Sequence, residues 1–148
     1  MTNLLEINNL SVDFPSRRGQ VAAVNKVSIA VAKGEVLGLV GESGAGKSTV
    51  GNSIINLLEP PGYISGGEII FDGNRIDQLS NEEMRKIRGA KIGTIFQDPQ
   101  TSLNPLMTIG KQLSETLIET LKISGSSARE KSVELLDSVG IPNPEPRL

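Results

Sequence analysis

The sequence predicts an α/β fold, and three observations carry that expectation. Gly and Pro punctuation cuts the 148 residues into short segments whose apolar patterns alternate between strand-like and helix-like. Val36-Leu37-Gly38-Leu39-Val40 is apolar without alternation, the pattern of a strand buried on both faces of a parallel sheet. Directly after it, a glycine-rich turn leads into Val50, Ile54, Leu57 and Leu58, spaced as one face of a helix.

The remaining elements follow in order. Residues 4–12 and 21–31 read as early strands, 36–40 as the buried strand ended by Gly41, and 47 onward as a helix stopped by Pro60-Pro61-Gly62. Glu68-Ile69-Ile70-Phe71 reads as a strand entering a tight turn at Asp72-Gly73-Asn74. Ser80 and Glu83 have the spacing of a capping box, with Met84 and Ile87 on one face and Gly89 as a stop, so a short helix is expected there. Residues 92–96 read as another buried strand. Ile109, Leu113, Leu117 and Leu121 predict a helix, and Ser127-Ala128-Arg129-Glu130 opens a second one running towards Gly140. Residues 141–148 hold three prolines and read as a linker with neither helix nor central strand.

Composition narrows the chemistry. Hydrophobic residues at 37% and charged residues at 22% are ordinary for a globular chain, so disorder throughout is excluded, and 148 residues suit one domain or a piece of one. Fifteen Lys+Arg against 17 Asp+Glu give a net charge of −2, which argues against DNA as the main partner. With no cysteine and no histidine, these residues offer no disulfide, thiolate or imidazole chemistry and no Ser-His-Asp triad. The longest apolar run, about five residues, is far below the roughly 20 that span a bilayer, and Met1-Thr2-Asn3 lacks a secretory pattern. A cytosol-facing soluble chain is expected.

Gly41-Glu42-Ser43-Gly44-Ala45-Gly46-Lys47-Ser48-Thr49 fits G-x-x-x-x-G-K-[ST] between a predicted strand and a predicted helix. Glycines allow the backbone to fold so tightly that successive N–H groups point at one anion, and a helix N-terminus adds partial positive charge. Lys47 would reach the β- and γ-phosphates of a nucleotide triphosphate, and the Ser48 hydroxyl would hold Mg²⁺.

Residues 34–49 read GEVLGLVGESGAGKST, residues 66–73 GGEIIFDG and residues 94–105 TIFQDPQTSLNP. Together they resemble the ATP-binding subunits of ABC transporters, and more narrowly the subfamily that powers uptake of dipeptides, oligopeptides or nickel; the resemblance covers essentially the whole chain. It implies a P-loop NTPase with a RecA-like core, represented by its N-terminal part: residues 1–100 carry the core with the phosphate-binding loop, and 101–148 start the helical subdomain. It implies ATP and Mg²⁺ as ligands, and as partners transmembrane permease subunits and a second ATP-binding subunit, with no nucleic acid. The location implied is peripheral, at the cytoplasmic face of the inner membrane. By resemblance Gln97 contacts Mg²⁺ and the attacking water while its loop senses the transmembrane partner. Counting back from Gly41 places Arg18 where the family commonly stacks an aromatic on adenine; Phe14 is its rival, and a core role for Phe14 with solvated Arg17 and Arg18 is the plainer alternative.

Other clusters read as structural. Arg85, Lys86, Arg88 and Lys91 lie within a turn of Glu82 and Glu83, a solvated helix face rather than a nucleic-acid patch. Glu115, Glu119, Glu130 and Glu134 mark the wet faces of the two late helices. The resemblance further implies a Leu-Ser-Gly-Gly signature, a strand ending in Asp-Glu and a switch histidine, none of which occurs in these residues. Negligible turnover is therefore expected from this polypeptide alone, and poor stability, because strands from later sequence would flank the one leading into the loop. Two alternatives stay open: a non-hydrolysing nucleotide-binding or interaction remnant, and a soluble P-loop ATPase with a non-transport task.

Overall fold

A computed structural model describes residues 3–17, 19–96 and 102–148. The chain divides into two compact units, Met1–Arg88 and Gly89–Leu148.

In the first unit, two long strands, β1 (Asn3–Ser16) and β2 (Gly19–Ala32), form a hairpin, and β1 also pairs with β3 (Tyr63–Phe71), which pairs with the short β4 (Asn74–Arg75). The sheet has the order β2-β1-β3-β4 and every pair is antiparallel. Ile7 sits between Ile29 and Ile69, and the side chains of Ile7, Leu10, Val12, Val24 and Ile69 are buried. Their burial removes apolar surface from water and supplies the unit's main cohesion. Register shifts between Ile7 and Leu10 and between Asn8 and Ser11 interrupt the β1 ladders. There, the Asn9 N–H donates to Ser28 Oγ (2.9 Å) and the Lys26 N–H to Ser11 Oγ (3.1 Å), so side chains satisfy backbone groups that the bulge removes from the ladder.

The β3–β4 turn runs through Asp72 (φ 49) and Gly73 (φ 74), both left-handed, as a two-residue hairpin turn of primed type requires. Helix α1 (Lys47–Ile54) follows the glycine-rich loop, and α2 (Asn81–Ile87) starts at the predicted capping box: Glu83 N–H donates to Ser80 Oγ (3.3 Å) while Ser80 N–H donates to the Glu83 carboxylate (2.8 Å). Val50, Ile55, Ile76 and Met84 complete the buried apolar set of this unit among the described residues.

Two sequence expectations fail here for identifiable reasons. Residues 36–40 form no strand, and Val36 and Val40 are 96% and 93% exposed. A parallel strand needs neighbours to receive its backbone hydrogen bonds, and among the described residues no strand runs beside this one. The helix from Lys47 stops at Ile54 instead of continuing to Pro60: Asn56 turns left-handed (φ 50), and the Leu57 N–H reaches back to the Asn52 carbonyl (2.8 Å) while Asn56 N–H bonds Ser53 O (3.1 Å). That paired closure ends the helix before Leu57 can join its face.

The second unit contains α3 (Ile109–Leu121) and α4 (Gly125–Ser138), joined through Lys122 in the left-handed region (φ 54). Thr108 caps α3 and Ser124 caps α4, so α4 begins ahead of the predicted Ser127. Glu115, Glu119, Glu130 and Glu134 are exposed as expected. Gly110 is buried against the chain's last residue; a Cβ there would lie 2.6 Å from the Leu148 carbonyl oxygen. The Pro-rich end, expected to hold no helix, makes a single 3-10 turn over Glu145–Arg147, where proline at the first turn lacks only an N–H that would be unpaired anyway. The predicted strand at 92–96 is absent too, with Ile95 98% exposed. As at 36–40, an apolar segment without a flanking strand does not make a ladder.

Candidate phosphate-binding site

The glycine-rich loop closes on itself before α1 begins. The Ala45 N–H donates to the Glu42 carbonyl (3.2 Å), and Gly44 and Gly46 both sit at φ 83, a conformation that costs other residues roughly 1–2 kcal/mol. Gly46 is constrained twice, because a Cβ on it would stand 2.4 Å from the Ala23 carbonyl oxygen of β2. The sheet thus pins the loop at the residue that caps α1.

Gly46 has no side chain with which to cap α1, and no acidic residue lies in the first turn. Val50 N–H bonds the Gly46 carbonyl (2.9 Å), while the N–H groups of Lys47, Ser48 and Thr49 have no partner among the described residues. At a helix N-terminus such orphan donors share the positive end of the helix dipole. Lys47 Nζ folds back over the loop and donates to the carbonyls of Gly41 (2.8 Å) and Glu42 (2.5 Å). The residue set is that of an anion site, built mainly from backbone. Ser43 and Ser48 are exposed, and the Ser48 hydroxyl makes no hydrogen bond among the described residues. Among those residues no cluster of three or more His, Cys, Asp or Glu could hold a metal.

Arg18 and Gln97 lie outside the described residues. Phe14, on β1, is half-buried with its ring against Gly62, where an added Cβ would come within 2.5 Å of it. That contact matches the plainer alternative of a packing role.

Sequence reasoning missed three other side-chain contacts. Arg88, read as part of a solvated face, is half-buried and donates from Nε to the Ile55 carbonyl (2.6 Å) and from Nη2 to the Asn56 carbonyl (2.8 Å). In the second unit, Gln112 accepts from the Asn104 N–H (2.8 Å) and donates to the carbonyls of Asn104 and Met107 (both 3.0 Å), tying residues 104–107 to α3. Behind β4, burial pushes the Asp77 carboxyl up, but hydrogen bonds from Arg75 and the Ile69 N–H outweigh it and hold the group below its ordinary range. No periodicity or motif marks these three side chains.

The sequence pattern of the family described as ABC transporter matches residues 24–147. The oligopeptide transport ATP-binding protein OppD of Bacillus subtilis (strain 168) is 48% identical over 149 residues, covering 100% of this chain and 42% of that protein. The dipeptide transport ATP-binding protein DppD of the same organism is 46% identical (100% and 44%), and that of Escherichia coli (strain K12) 40% identical (98% and 44%). Among solved structures, the dimeric bacterial ABC transporter cassette MJ0796 superposes with a TM-score of 0.78 at 30% identity, over 90% of this chain and 56% of that one. The same cassette in a post-hydrolysis state, bound to ADP and Pi, agrees equally well. The chain spans less than half the length of these curated relatives. A P-loop NTPase fold and a pattern match over most of the sequence converge, and the chain belongs to the ABC transporter family.

Proposed function

We propose that this chain is the nucleotide-binding part of an ATP-binding subunit that energises peptide import. One observation carries the reading: the N–H groups of Lys47, Ser48 and Thr49 at the start of α1 have no partner among the described residues, and the Lys47 ammonium folds back onto the Gly41 and Glu42 carbonyls of the same loop. In this reading Lys47 exchanges its two carbonyl partners for β- and γ-phosphate oxygens, and Gly44, Ala45 and Gly46 contribute their backbone to the cradle. Ser48 holds Mg²⁺, Gln97 contacts the same ion and the attacking water, and Arg18 stacks on adenine. The relatives' names, oligopeptide and dipeptide transport ATP-binding proteins, support peptides as the solute. Transmembrane permease subunits and a second ATP-binding subunit are the partners, with the chain peripheral to the cytoplasmic face of the membrane. These 148 residues contain no histidine, no Asp-Glu pair and no Leu-Ser-Gly-Gly, so they bind ATP without turning it over on their own.

Calorimetric titration of the 148-residue chain with MgATP tests this. Saturable binding is expected, weakened on the order of 100-fold by Lys47→Ala because a charge-assisted pair to phosphate is lost. Unchanged affinity in that variant would remove the loop from the reading.

A further inference from the structure

Arg88 closes α2 as its C-cap, yet its side chain serves a different helix. Its guanidinium spans the carbonyls of Ile55 and Asn56 at 2.6 and 2.8 Å, where α1 ends. A helix end leaves acceptors unpaired and gathers partial negative charge, so a cation there is favourable. The planar fork meets two adjacent carbonyls from two different nitrogens, a geometry that a lysine ammonium does not reproduce.

The other end of α1 is the phosphate loop. With eight residues the helix is only about 12 Å long. Gly46 abuts the Ala23 carbonyl at its start, Val50 and Ser53 are buried along its length, and Ile55 is buried at its close. A rod this short and this tightly held turns as a unit, so a change of tilt at Ile55 re-aims the N–H groups of Lys47, Ser48 and Thr49.

We propose that Arg88 is a positioning residue for the phosphate loop: by clamping the Ile55 and Asn56 carbonyls it sets the direction in which α1 presents its N-terminal donors to phosphate. The inference rests on the nucleotide-binding reading of the loop. Arg88 itself touches no ligand, so its effect falls on the phosphates and is independent of the base.

The test compares the 148-residue chain with Arg88→Met, Arg88→Lys and Met84→Ala. Met84 is buried on the same α2 helix and makes no side-chain hydrogen bond to α1. Each protein is titrated with MgATP and with magnesium tripolyphosphate at a temperature where all are folded, and its melting temperature is recorded. Arg88→Met is expected to weaken both ligands about tenfold and Arg88→Lys to weaken them in part, while Met84→Ala melts at least as early and binds within about twofold of the parent. Equal affinity of Arg88→Met and the parent overturns the inference, as does equal weakening by Met84→Ala at the same loss of melting temperature. If Arg88→Met does not fold, Arg88→Lys decides by the same criteria. A parent chain that binds neither ligand sinks the nucleotide reading and this inference together, whereas a parent that binds beside Arg88 variants that bind equally well sinks the inference alone.

Discussion

Gly46→Ala isolates the close approach between loop and sheet. Two costs apply at this position. The left-handed backbone at φ 83 disfavours any L side chain by roughly 1–2 kcal/mol. The new methyl would stand 2.4 Å from the Ala23 carbonyl oxygen and 3.4 Å from Val24 Cγ2, so backbone must move, and overpacking of this kind costs about 1–3 kcal/mol more. Gly44 shares the same φ of 83 but has nothing within 4 Å, so Gly44→Ala carries the first cost alone. Urea unfolding followed by circular dichroism reads both variants against the parent. Gly46→Ala is expected to lose about 2–5 kcal/mol in total and Gly44→Ala about 1–2. Equal losses would refute the claim that the sheet pins the loop at Gly46.

Further predictions concern charge, packing and the base. Asp77 has a folded value below its ordinary 3.8, so its ionised form adds stability that is complete above the unfolded value and is lost as pH falls through the folded one. Asp77→Asn is therefore expected to lower stability at neutral pH and to flatten the acid side of a melting-temperature-versus-pH curve; an unchanged acid limb contradicts this. Gly110→Ala would press a methyl into the Leu148 carbonyl, and faster amide exchange over residues 145–148 is the expected result, against no change if that contact is unimportant. Thr108→Ala removes the Oγ1 acceptor for the Lys111 N–H and is expected to cost about 1 kcal/mol in chemical denaturation of α3. Arg18→Ala is expected to weaken MgATP but leave magnesium tripolyphosphate binding intact, and equal loss of both would dismiss it as the adenine contact.

Local signals in the sequence were readable where the chemistry is local. The Ser80/Glu83 box, the Asp72-Gly73 turn and the fourfold spacing from Ile109 to Leu121 each name their own structure, and the structure follows them. The phosphate loop was legible for the same reason, since its glycines, lysine and serine are consecutive. Residues 36–40 and 92–96 show the limit: apolar side chains say that a segment is suited to burial but not what lies beside it, and a ladder needs the neighbour. The stop of α1 at Asn56 was hidden because asparagine in the left-handed region is one option among several for that residue. Arg88 looked like one more surface cation until the fold brought two carbonyls 32 and 33 residues away to its guanidinium. The contact of Gly46 with Ala23 is likewise tertiary, although the glycine itself belongs to the motif.

The claim that phosphate is held by the backbone between Gly41 and Thr49 is tested most directly by amide chemical-shift mapping of the 148-residue chain as MgATP is added. The largest shifts are expected at Gly44, Gly46, Lys47, Ser48 and Thr49, whose N–H groups would turn from solvent to phosphate oxygens. Shifts confined to the polar groove on the sheet lined by Asn9, Ser11, Asp13, Lys26 and Gly67, with the loop amides unmoved, would contradict it.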